Sequence, residues 1–303
     1  MSPAFSGQRH LGLVLATMGW CTLAAISIFL PIYASLFNAS GTVNLFFFHL
    51  AITITFFLFG LPYGIKFFIC NNPKLVMFRG FLAVLGFFCF FYSKIWSPQT
   101  DHYLLYSISP LWVVLILLIT NYKITKLSLI GIVVSVVGVC VIYYDNAHSW
   151  PDFANFTFGI LSGALSSFII LITYILIKTD HTSRIGFYHG IIGCIFSLCI
   201  LFYYFLTDSI MLPPAQEIII ALFLGLAYSL ALFCFIQSAF YVEAYVVGVS
   251  GYSLIFFTET LNWIMTKELI SISSIIGIVL IVFGGIKAVL GTFVSEEKKR
   301  LNI

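Results

Sequence analysis

Read from its amino terminus, the chain alternates long apolar runs with short polar gaps. Ten runs fall at about 11–35, 43–65, 75–95, 102–121, 126–144, 155–177, 184–206, 215–238, 243–265 and 271–293. Each is near the roughly 20 residues a helix needs to cross the hydrocarbon core of a bilayer. The gaps carry turn formers, such as "NASG", "CNNPK", "SPQTD", "DNAHSWPD" and "LPPA". None of the runs reads as a lone strand, because an open sheet edge leaves backbone groups unpaired in lipid. The pattern predicts an all-α integral membrane protein with ten transmembrane helices, here called spans 1 to 10.

Composition agrees. Hydrophobic residues make up 61% of the 303, charged ones 8%, and the mean hydropathy is +1.09. A water-facing surface needs about 25% charged residues. The first run is longer than the roughly 7–15 apolar residues of a cleaved signal, so it is expected to remain as a helix. Neither the net charge of +3 nor its scattered placement forms a nucleic-acid-binding patch. The seven cysteines lie mostly inside apolar runs with no CxxC pair, and they read as small buried hydrophobes rather than metal ligands.

The basic residues orient the spans. With the N-terminus inside, 12 of the 14 fall in or beside cytoplasmic gaps, and only Lys94 and Lys267 fall outside. That asymmetry follows the positive-inside rule and places both termini in the cytoplasm. The runs also repeat. "GFFCFFYS" (86–93) returns as "ALFCFIQS" (231–238), and "GIVVSVVG" (131–138) returns as "GIVLIVFG" (277–284), at offsets of 145 and 146. Spans 3 and 5 therefore match spans 8 and 10, and the unit is five helices. Five is odd, so the second copy enters from the opposite side. The expected organisation is two inverted five-helix repeats, 1–146 and 147–303, an architecture many secondary carriers share.

Polar residues inside the runs nominate a site. Glu259 stands in "LIFFTETLNWIM" among Leu, Ile, Phe, Trp and Met. Tyr245, Tyr252, Glu259 and Thr266 recur every seven residues, with Asn262 three beyond the glutamate. Such spacing draws one stripe along a helix, and a polar stripe belongs at the bundle interior or a watery cavity. Thr17 and Trp20 on span 1, Tyr103, Tyr106 and Ser107 on span 4, Ser166 on span 6, and Tyr228 and Gln237 on span 8 join it as candidates. Arg79 is a further candidate, set against the alternative that it snorkels to the inner surface. His49 and His189 read as packing residues. Serine and threonine faces in membrane helices also serve close packing and interhelical hydrogen bonds.

Several stretches resemble the drug/metabolite transporter superfamily, in its bacterial ten-helix form with two EamA-type halves. They are "FRGFLAVLG" (78–86), "SPLWVVLI" (109–116), "LIGIVVSVVGVCVI" (129–142), "TKEL" (266–269) and "IIGIVLIVFGGI" (275–286). The sequence departs from that pattern at Lys123, where the first half usually has an acidic residue, and near Ile255, where the second half lacks a proline. The resemblance implies an inner-membrane carrier working by alternating access, coupled to protons or to a counter-substrate. It also implies a central cavity lined by helices 1, 3, 4, 6, 8 and 9. The chain is expected to act as a monomer or homodimer.

An aromatic-lined space with one carboxylate suits a cationic or zwitterionic small molecule, such as an amino acid, a sulfonium compound or an amine. No cofactor is implied. An intramembrane enzyme is the rival, and it would need a nucleophile and base or a metal cluster at one depth. No HExxH, GxSxG or paired intramembrane Asp is present. A receptor or scaffold leaves the duplication without a reason, and no charge ring or carbonyl-filter motif marks a channel.

Overall fold

The structure, a computed structural model, describes residues 8–34, 41–95, 106, 109–119, 125–146, 153–207, 212–267 and 271–300. Among these there is no strand. The helices are α1 Arg9–Ala34, α2 Gly41–Gly60, α3 Pro73–Ile95, α4 Ser109–Ile119, α5 Lys126–Asn146, α6 Phe153–Leu176, α7 Thr182–Leu206, α8 Ala215–Ser238, α9 Ala244–Val249, α10 Tyr252–Thr266 and α11 Ile272–Arg300. Among the described residues seven stretches are long and apolar enough to cross a membrane: Arg9–Ile26, Gly41–Tyr63, Pro73–Phe90, Thr157–Leu176, Thr182–Leu206, Ala215–Ser238 and Ala244–Met265. The chain is a multi-pass integral membrane protein. Spans 5 and 10 correspond to the shorter apolar helices Lys126–Ile142 and Ile272–Ala288.

Burial follows lipid rather than water. Phe202, Phe205, Leu206, Phe223 and Val279 face outward, while Ser128, Ser135, Ser167 and Ser197 are wholly enclosed. Each of these serines donates to a backbone carbonyl, so none is left unsatisfied. Ser197 bonds Gly193 O and Ser167 bonds Ser109 O, each at 2.8 Å. That arrangement answers the cost of a lone hydroxyl where no water competes.

Two boundaries differ from the apolar runs for backbone reasons, and α11 also continues to Arg300, past the end of its run near 293. Span 2 ends as an α-helix at Gly60 rather than near 65. Pro62 lacks the N–H that would continue it, and Gly64 takes a φ of +84° between two short 3-10 turns, Leu61–Tyr63 and Ile65–Phe68. Span 9 is not one regular helix. Between α9 and α10 the N–H of Gly251 donates to Gly248 O (2.9 Å) and that of Leu254 to Gly251 O (3.0 Å), three-residue steps in place of four. Ser250 and Ser253 hydroxyls turn back onto Val247 O (2.7 Å) and Ser250 O (2.6 Å). Such hydroxyls satisfy carbonyls that an irregular turn frees at membrane depth.

The chain folds into two compact units, one of 1–85 with 172–241 and the other of 86–171 with 242–303. Each takes segments from both sequence halves. In the first unit α2 and α7 run antiparallel, with Gly186 against Phe56, Gly190 against Thr53 and Gly193 against the His49 ring. α2 and α8 run in the same direction, Phe48 meeting Gly225 and Phe59 meeting Phe233. α1 lies on α8 through Trp20 and Phe235, ring centroids 4.6 Å apart.

A polar knot closes one end of this unit. Asp180 accepts from Asn71 N (3.0 Å), Thr179 Oγ1 (3.0 Å) and Arg184 Nη1 (2.6 Å), while Arg184 Nε reaches Phe67 O (2.7 Å). Burial alone pushes the Asp180 carboxyl up, but these donors and the Arg184 charge leave it below the usual carboxylate range. A lowered folded value means the knot contributes fully above about pH 4 and fades as pH drops through that lowered value. Asp180→Asn should therefore lower the unfolding temperature at pH 7, and the gap to wild type should shrink under acid. A gap that widens on acidification contradicts this reading.

In the second unit α5 and α11 cross antiparallel along a glycine seam. Gly131 abuts Gly284 and Gly138 abuts Gly277, backbone against backbone. Ser128 Oγ and Ser135 Oγ bind Ala288 O (2.9 Å) and Ile281 O (3.1 Å) across it. Both helices open on the same cap. Thr125 Oγ1 accepts from Ser128 N (3.1 Å), and Ser271 Oγ accepts from Ser274 N (3.0 Å).

Candidate functional site

The candidate residues fall into two groups, one in each unit. In the first unit α3 carries Arg79 inward, only 2% exposed. Its Nε donates to Thr173 Oγ1 on α6 (2.8 Å), and its Nη1 lies 3.4 Å from His189 Nδ1 on α7. Arg79 does not snorkel. The His189 ring stacks on His49 of α2 (centroids 6.2 Å) and lies 5.8 Å from the Tyr228 ring of α8, which also meets Phe48 at 5.4 Å. His49 can approach α7 because Gly193 has no side chain there.

Sequence reasoning named Arg79 and Tyr228 and placed Thr173 with Ser162 and Ser166 on a polar face of span 6, but set His49 and His189 aside as packing. The available signal was that an ionisable residue within an apolar span is a functional candidate by default. Of the others in this unit, Trp20 is 2% exposed and wedged against Phe235. Thr17 is half-buried. Gln237 accepts from Thr182 Oγ1 at 2.9 Å, which ties α8 to the start of α7.

In the second unit Tyr106 and Ser166 come together, hydroxyl to hydroxyl at 2.9 Å, with Phe90 edge-on to the tyrosine ring at 5.1 Å. Tyr245 on α9 is buried. Tyr252 on α10 is 3% exposed and packs among Ile132, Val139, Ile142, Ile255 and Ile281, its hydroxyl without a partner among the described residues. Trp112 Nε1 on α4 and Thr258 Oγ1 on α10 are likewise buried without one. Glu259 is half-buried and meets neither a cation nor a hydrogen-bond donor among the described residues. Tyr103 and Ser107 lie outside the described residues, as do the side chains of Asn262 and Thr266.

The contrast within this unit is informative. Along α5 and α11 the serines are paired, whereas α4 and α10 gather four polar groups that lack a partner. Buried polar groups are ordinarily satisfied, so such a concentration calls for a functional explanation. Among the described residues no group of His, Cys, Asp and Glu could hold a metal.

No protein-family model matches the sequence, and no curated protein matches it. Among solved structures 28 chains match. One, a crystal structure described only as that of a protein, aligns over 94% of this chain and 97% of its own, at 16% identity and a TM-score of 0.72. At that identity the likeness establishes a shared fold over nearly the whole chain.

Proposed function

We propose that the chain is a secondary carrier for a small organic metabolite, working by alternating access across ten spans in two inverted repeats. The observation that carries the reading is Glu259, an intramembrane carboxylate without a partner among the described residues, on a helix whose buried Tyr252 and Thr258 hydroxyls also lack one there. A charge kept at such a position marks a ligand or ion pathway.

The α5–α11 seam supports the inverted repeat. At the offset of 146, Gly131 corresponds to Gly277 and Gly138 to Gly284, and the observed contacts are Gly131 with Gly284 and Gly138 with Gly277. Exchanging the two copies turns each contact into the other, which is the signature of a two-fold, self-complementary interface. The caps at Thr125 and Ser271 obey the same offset. The irregular turn between α9 and α10 is the kind of broken helix on which carriers build sites.

The carboxylate and the aromatic residues nearby favour a cationic or zwitterionic cargo, with protons or a counter-substrate as the coupled species. The test is a thermal-unfolding screen of purified protein against amino acids, sulfonium compounds and amines. At least one should raise the unfolding temperature in wild type and not in Glu259→Gln. Stabilisation confined to anionic or uncharged compounds counts against this assignment.

A further inference from the structure

The buried arginine of the first unit has chemistry that the reading above does not use. Among the described residues Arg79 meets only neutral acceptors, the Thr173 hydroxyl and the His189 ring. The unit's described carboxylates are engaged elsewhere, Asp180 with Arg184 and Glu217 with Asn44 Nδ2 at 3.1 Å. A guanidinium cannot shed its proton to escape burial, because it stays charged at any accessible pH. Held away from water without an opposite charge, it is strongly unfavourable.

His189 is set up in the same sense. A guanidinium only donates, so the Nδ1 facing Arg79 is the bare nitrogen and the proton sits on Nε2. That Nε2–H is buried with no acceptor among the described residues. Stacking against His49 and Tyr228 holds the ring in place. The cluster thus presents spare donors and a net positive charge, a set that pairs with oxygen anions and repels cations.

The geometry points to Arg79 and His189 as an oxyanion-binding site in the first unit, taking a carboxylate or phosphate group. This goes beyond the carrier reading and is separate from the acidic chemistry of Glu259. Arg79 supplies the charge and the fork of donors. His189 supplies one further N–H, and Thr173 fixes the guanidinium by occupying Nε.

The test is thermal unfolding of the full-length protein in detergent with sodium acetate, sodium phosphate or neutral acetamide, ionic strength being held with sodium chloride. Acetate or phosphate should raise the unfolding temperature saturably, and acetamide should not. A response confined to acetate assigns the anion to a carboxylate cargo; a larger response to phosphate assigns it to a phosphorylated group, and both support the site. Arg79→Gln should raise the half-saturating anion concentration about tenfold or more, the loss of a charge-assisted bond. Arg79→Lys should keep part of the response, and His189→Phe, which retains a ring but no N–H, should weaken it.

Equal responses to acetate and acetamide overturn the proposal, as does an unchanged anion response in Arg79→Gln. Should Arg79→Gln not fold, an unchanged response in both Arg79→Lys and His189→Phe overturns it equally. Transport does not enter this readout, so failure here leaves the carrier reading to be judged by uptake.

Discussion

Gly284→Ala destabilises the protein by about 1–3 kcal/mol, whereas Gly285→Ala, one residue along the same helix, is neutral or stabilises by about 0.5–1 kcal/mol. The two glycines differ only in what their missing Cβ would touch. At Gly284 it would strike Gly131 O and the Ser135 backbone and hydroxyl, and at Gly285 it meets nothing within 4 Å. A side chain in the way can rotate; backbone cannot. The seam must therefore open, and the Ser135 bond to Ile281 O (3.1 Å) is lost with it. At Gly285 the methyl group only removes backbone freedom from the unfolded chain, which favours the helix. Adding Gly131→Ala to Gly284→Ala should cost less than the sum of the two, because one opening of the seam accommodates both. Unfolding of the detergent-purified variants, by denaturant or heat, measures all three. Equal effects at 284 and 285 contradict the backbone contact.

If the proposed carrier function holds, Glu259→Gln should abolish coupled transport and leave the fold intact. Glutamine keeps the shape of the side chain and a carbonyl oxygen but removes the negative charge. Glu259 makes no ion pair among the described residues, so its neutralisation breaks no protein contact and stability should hold or improve slightly. A charge-assisted bond to a cationic cargo is worth about 1.5–3 kcal/mol, which is roughly a tenfold to hundredfold loss of affinity. Coupling fails more completely, because an amide cannot give up and regain a proton. Uptake into proteoliposomes checks this. A Glu259→Gln protein that still accumulates cargo against its gradient removes Glu259 from the mechanism.

Much of the architecture was legible in the sequence, and the reasons differ from element to element. The apolar runs located the helices because lipid demands length and apolarity of any segment that crosses it. The offset of 146 links "GIVVSVVG" to "GIVLIVFG" in the sequence, but it does not say that those two helices pack on each other. That contact rests on small residues facing across a crossing, which a one-helix pattern does not encode. The end of α2 could have been set at Gly60 from Pro62 and Gly64. The turn between α9 and α10 was signalled by "GVSGYS" (248–253), where two glycines and two serines interrupt the span.

The candidate site was legible in part. An acidic residue deep in an apolar run is conspicuous wherever it occurs, and Glu259 became a candidate for that reason. An arginine near a span end is ambiguous, since snorkelling and burial share one sequence pattern. Thr173 and His189, from helices far along the chain, decide the matter for Arg79. The two histidines became a pair only when Gly193 let one ring reach the other helix.

Counterflow tests the proposed carrier function most directly. Proteoliposomes holding the full-length protein are loaded with unlabelled cargo identified by the stabilisation screen, then diluted into a trace of the labelled compound. A site exposed to one side at a time predicts a transient overshoot of label inside the vesicles. Label that rises monotonically to the outside concentration, with or without preloading, contradicts a carrier.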